Sequence, residues 1–98
     1  MESQTITRLQ RWYIAHCNGI WEHSYGVKIG TIDNPGWKLD IDVAETELAS
    51  RPFLEVKRDW EVETWISCKV RNEVYLARGG PGMLDEMIRI FLNWAEQK

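Results

Sequence analysis

The sequence predicts an α+β domain: an antiparallel sheet of about five strands in a meander, with an N-terminal and a C-terminal helix packed on one face. Three observations carry this reading. Apolar residues recur at helical spacing near both ends of the chain, and between them they alternate with polar residues in short runs. The length of 98 residues fits one domain over 1–98.

Ile6, Leu9, Tyr13 and Cys17 follow one helical stripe after Ser3 or Thr5 as N-cap, and Asn18-Gly19 stops the helix because both residues tolerate the left-handed conformation. Residues 17–43, CNGIWEHSYGVKIGTIDNPGWKLDIDV, read as a hairpin hinged on Asp33-Asn34-Pro35-Gly36. Its first strand sets Tyr25, Val27 and Ile29 against Glu22, Ser24, Gly26 and Lys28. Its second sets Trp37, Leu39, Ile41 and Val43 against Lys38, Asp40 and Asp42. At the hinge Pro35 presets φ, and Gly36 supplies the positive φ of a type II turn.

The polar connection AETELASRPF follows, with a helical turn over 44–49 that Pro52 ends. In a third strand over 53–60, Leu54 and Val56 alternate with Glu55 and Lys57, and Arg58 interrupts the pattern. A fourth over 65–71 sets Ile66, Cys68 and Val70 against Trp65, Ser67 and Lys69. After a tight turn near Arg71-Asn72-Glu73, a fifth turns Val74 and Leu76 one way and Tyr75 and Ala77 the other; Gly79-Gly80-Pro81-Gly82 ends it. The closing helix puts Leu84, Met87, Ile88, Phe91, Trp94 and Ala95 on one stripe, with Asp85 and Glu86 in the first turn where the macrodipole favours them.

The totals exclude several classes of function. Twelve Lys and Arg against fifteen Asp and Glu give a formal charge of -3, which argues against general nucleic-acid binding and suits a partner with a basic surface. Cys17 and Cys68 are too few for a disulfide scaffold, MESQTITRLQRW lacks a signal-peptide pattern, and no apolar run approaches the ~20 residues that span a bilayer. The expected compartment is the cytoplasm, with no membrane partner.

If the aliphatic strand positions point at the helices, the uncovered face carries Lys28, Lys38, Asp40, Asp42, Lys57, Asp59, Trp65, Ser67, Lys69 and Tyr75. Aromatics in a polar rim resemble interface hot spots, so Glu22, Lys38, Asp40, Asp42, Trp65 and Tyr75 are the candidate partner-binding residues. His16, Cys17 and His23 form the one cluster of potential ligands or nucleophile and base. No fourth ligand stands at a zinc-site spacing, and Cys17 reads as a small apolar residue closing the first helix. The GGPG stretch before the last helix lacks the Lys and Ser or Thr of a P-loop. No catalytic residue, metal or cofactor is assigned. Two alternatives stay open: a small enzyme using Cys17, His16 or His23, and a homo-oligomeric ligand-binding module that uses the exposed sheet face.

Trp12, the pair Trp21-Glu22 and the run Pro35-Gly36-Trp37 stand in the frame LQRWYIAHCNGIWEHSYGVKIGTIDNPGW, followed by Gly79-Gly80-Pro81 and the terminal helix. In this order and spacing the chain resembles the immunity protein 53 family of bacterial polymorphic toxin systems, over nearly its whole length. The resemblance implies a small cytoplasmic α+β protein that neutralises a cognate toxin by stoichiometric binding, covering the toxin's active site or locking its conformation. Acidic immunity surfaces suit basic nuclease toxins, so the resemblance makes Glu22, Asp40 and Asp42 electrostatic contacts with Trp65 or Tyr75 as anchors. Trp37, in phase with Leu39 and Ile41, reads as core.

Overall fold

The computed structural model describes residues 4–59 and 61–97. Helix α1 (Gln4–His16) and a single turn α2 (Trp21–Ser24) precede strands β1 (Val27–Ile32), β2 (Gly36–Asp42), β3 (Val56–Arg58), β4 (Ile66–Arg71) and β5 (Val74–Gly79), and helix α3 (Leu84–Ala95) closes the chain. The expected α+β class, the five antiparallel strands and the two terminal helices are all present.

The strand order departs from a meander. It runs β1-β2-β5-β4-β3, so the chain leaves β2, crosses to the far edge of the sheet, and returns until β5 pairs with β2. The connection over 43–55 makes the crossing possible because it is anchored along the way. Thr46 Oγ1 donates to the Val43 carbonyl at 2.7 Å and accepts the Leu48 N–H at 3.1 Å, forming successive turns where one helical turn was expected. Leu48 is fully buried, and Trp94 of α3 donates its Nε1–H to the Pro52 carbonyl at 2.8 Å.

Helix α3 lies across β2, β5 and β4 with α1 beside it. Leu39 and Ile41 of β2, Ile66 and Cys68 of β4, and Tyr75 and Ala77 of β5 are buried against Met87, Ile88, Phe91 and Leu92 of α3. Each large apolar side chain so buried contributes about 1.5–3 kcal/mol before the entropy of ordering it is counted. The aromatic rings pack edge to face around this core. Phe91 meets Trp12 at 5.0 Å and 89°, and Phe53 meets Trp94 at 5.1 Å and 79°.

Five local expectations are corrected. The buried stripe of α1 is Thr5, Leu9 and Trp12, one position round from the expected Ile6, Tyr13 and Cys17, because α1 seats against α3 at the side of the sheet. Thr5 lies inside the helix and is no cap, while Ser3 falls outside the described residues. Residues 21–24 form α2 instead of strand, so β1 starts at Val27. The hinge holds a cis Asn34-Pro35 bond, and positive φ among the described glycines falls at Gly19 (90°), not Gly36. Gly36 is needed for a different reason: a Cβ there would collide with the carbonyl oxygen of Gly79 on β5. The third strand shortens to Val56–Arg58 at the sheet edge, with Leu54 exposed before it and Trp60 outside the described residues.

Candidate functional site

The helices cover one face of the sheet, and the registers of the strands determine what the other face displays. Since Leu39, Ile41, Cys68, Tyr75 and Ala77 point at α3, the alternate positions point away. Across the strands these form three rows. Gly30, Lys38, Arg78, Ser67 and Lys57 make the first; Lys28, Asp40, Leu76 and Lys69 the second; Asp42, Val74 and Arg71 the third. Leu76 stands at the centre, between Asp40 and Lys69 on the neighbouring strands.

Of the expected contact residues, Lys38 is exposed on this face, and half-buried Trp65 precedes β4 in the phase of Ser67 and Lys69. Asp40 accepts a hydrogen bond from Arg78 Nη1 at 2.8 Å, a half-exposed cross-strand pair. Asp42 Oδ2 accepts the Gly26 N–H at 2.9 Å while the Gly26 carbonyl accepts the Asp42 N–H at 3.0 Å, so this carboxylate extends the ladder past β1.

Glu22 stands apart from the face. Its carboxylate accepts the N–H groups of Asn18 (2.9 Å) and Gly19 (2.7 Å), while Asn18 Oδ1 accepts those of Ile20 and Trp21, both at 2.9 Å. These reciprocal bonds reverse the chain between α1 and β1 in the manner of a capping box. Backbone N–H groups, first its own and then those of Asn18 and Gly19, hold the Glu22 carboxyl below the ordinary glutamate range against its partial desolvation.

Tyr75 is a correction. It is fully buried, it donates its hydroxyl to the Met87 carbonyl at 2.7 Å, and its ring packs on Phe53 and Phe91, so it anchors no partner on the open face. The β5 residues that replace it there, Val74, Leu76 and Arg78, were missed by assigning the phase of β5 from its own apolar residues; Arg71, at the end of β4, continues the outward phase of Ser67 and Lys69. The signal was in the hairpin: the two-residue turn Asn72-Glu73, with φ of 55° and 62°, pairs Val70 with Tyr75 and Cys68 with Ala77. With Cys68 inward, Tyr75 must follow.

The residues of the expected family motif serve the fold. Trp12 and Trp21 are buried edge to face at 5.9 Å, and Trp21 Nε1–H is donated to the Ala44 carbonyl at 2.9 Å. Trp37 packs half-buried against the core and donates Nε1–H to the Pro81 carbonyl at 2.9 Å. His16 has both ring nitrogens engaged, Nδ1 with the Trp12 carbonyl at 2.8 Å and Nε2 with Glu47 Oε1 at 3.0 Å. Cys17 is half-buried beside the Tyr13 hydroxyl, and His23 is exposed on α2. Among the described residues no group of three or more His, Cys, Asp and Glu is placed to hold a metal ion. An apolar groove of about 390 Å³ runs between α1 and the β1 edge, lined by Ile6, Leu9, Gln10, Tyr13, Gly26, Val27 and Ile29.

No helix among the described residues is long and apolar enough to cross a membrane. The model of a family described as Immunity protein 53 matches residues 6–96, from the first turns of α1 to the end of α3. No curated protein and no solved structure matches the chain.

Proposed function

This chain belongs to the immunity protein 53 family, and on that premise we propose that it neutralises a cognate toxin of a bacterial polymorphic toxin system by stoichiometric contact rather than by catalysis. The observation that carries the reading is the extent of the family match, which takes in every helix and strand. The structure supports it with a sheet whose second face is left uncovered by the helices, where Lys38 is exposed and half-buried Trp65 precedes β4 in the outward phase. Contact there would cover the toxin's active site or lock its conformation, and the place of action on this reading is the cytoplasm of the producing cell. The enzyme alternative draws no support from His16, whose two nitrogens are taken up by Trp12 and Glu47.

The test is protection and complex formation with the toxin domain encoded beside this chain. Co-expression rescues growth, and light scattering of the purified pair gives a one-to-one complex. Cys17→Ser and His23→Ala protect as the parent chain does. Failure to bind or protect against that toxin would overturn the reading, and loss of protection in a folded Cys17→Ser or His23→Ala variant would favour the enzyme.

A further inference from the structure

We propose that the open sheet face docks an acidic protein surface bearing an apolar projection that seats over Leu76 and Val74; this rests on the reading of the chain as a toxin-binding protein. The chain as a whole is at -3, yet the paired rows of its open face gather Lys28, Lys38, Lys57, Lys69, Arg71 and Arg78, six of the twelve Lys and Arg, against Asp40 and Asp42, with exposed Asp59 just past the end of β3. The surface is therefore strongly segregated by sign, and its basic part coincides with the face the helices leave bare.

Both carboxylates of these rows are engaged within the fold. Asp40 is matched by Arg78 and Asp42 by the Gly26 N–H. Lys28, Lys38, Lys57, Lys69 and Arg71 have no ion-pair partner among the described residues. A concentration of cations unmatched within the fold presents a positive potential, which steers and orients an acidic surface. The expectation that this chain offers acid to a basic toxin is thus reversed on this face.

The centre decides between classes of acidic partner. Leu76 and Val74 are half-buried aliphatic side chains inside a charged rim, the anatomy of a protein interface with an apolar middle. A nucleic acid would find no aromatic platform at that centre on which to stack its bases. A protein surface with an aliphatic or aromatic projection ringed by Asp and Glu satisfies both parts.

Titration of an inactivated form of the adjacent toxin domain into the full chain tests this at low and moderate salt. The parent chain binds, and its affinity falls as salt rises. The double variant Lys69→Glu with Arg71→Glu loses about a hundredfold in affinity, and Leu76→Asp at least about tenfold, while Arg89→Glu on α3 binds as the parent does. All four positions point away from the core, and thermal melts establish folding; should Leu76→Asp fail to fold, the double variant carries the test. Toxin binding that both face variants retain would overturn this inference and leave the toxin-binding reading standing. No binding by the parent chain would overturn both. Two further results would overturn it: tighter binding of poly(U) than of toxin, and self-association of the free chain that the face variants abolish.

Discussion

The Tyr75 hydroxyl, hydrogen-bonded to the Met87 carbonyl at 2.7 Å in full burial, separates core from surface at the scale of one residue. Burial first, and the neighbouring Cys68 second, push its ionisation far above the ordinary tyrosine value, so it stays a neutral donor at any physiological pH. Tyr75→Phe keeps the ring contacts with Phe53 and Phe91 and removes only the hydroxyl. It should lower unfolding free energy by about 1 kcal/mol, measured by urea denaturation, while toxin affinity stays at the parent value; a drop in affinity without a drop in stability would place Tyr75 at the interface after all. Alternation read residue by residue located Leu39, Ile41, Ile66 and Cys68 correctly, since in each of those strands one phase is plainly more polar. It failed at Val74-Tyr75-Leu76-Ala77, where both phases are apolar and the choice belongs to the neighbouring strand. The same limit hid the binding candidates: Leu76 looks like core in sequence and becomes the centre of the open face only once the register is known.

At the scale of elements, the connection over 43–55 makes the strand order possible, and composition disguised its role. AETELASRPF is polar enough to pass for a surface loop, yet Leu48 is buried and Arg51 reaches α3. Arg51 Nη1 donates to the carbonyls of Trp94 (3.0 Å) and Ala95 (3.2 Å), placing a cation on the unsatisfied end of the helix where the dipole favours it. Arg51→Ala should therefore cost about 1–2 kcal/mol, with the urea midpoint lowered and the slope unchanged. Arg51→Lys should recover part of that loss, because the ammonium keeps the charge but not the planar fork; an alanine variant with the parent midpoint would show that α3 ends well without it. Helices α1 and α3 and the five strands were legible because periodicity is local. The order of the strands was not, since nothing local says that β5 returns to β2. Gly36 and Gly79 are the one sequence hint: their backbones approach so closely that no side chain fits at Gly36.

At the scale of the molecule, α1 is held to the rest by carboxylates as well as by Leu9 and Trp12. Arg8 forks onto Glu96 at 2.7 and 3.0 Å, joining α1 to the end of α3; His16 meets Glu47 of the crossing connection at 3.0 Å; Glu22 closes the turn that follows α1. All three glutamates are held below the ordinary value of 4.5, Glu96 by its hydrogen bond to Arg8, Glu22 by backbone N–H groups, and Glu47 because its hydrogen bond with His16 and its own backbone N–H, with lesser help from nearby charges, outweigh desolvation. A depressed carboxylate pKa stabilises the fold fully above the unfolded value, and that contribution is lost as pH falls through the folded value. The thermal midpoint should accordingly be insensitive to these groups at neutral pH and decline as the solution is acidified below about 4.5. Because each glutamate bears on α1, amide exchange should accelerate there before it does in β2, β5 or the middle of α3, which are held chiefly by the buried apolar core. Glu96→Gln should lower the neutral-pH midpoint slightly, since an exposed pair contributes little, and should flatten the acid decline. A decline as steep in Glu96→Gln as in the parent, or exchange that rises uniformly through the sheet, would mean that acid unfolds the core directly and that α1 is held by its apolar face alone. The open face faces away from these glutamates, so mild acid would loosen α1 while leaving Lys69, Arg71 and Leu76 in place on β4 and β5.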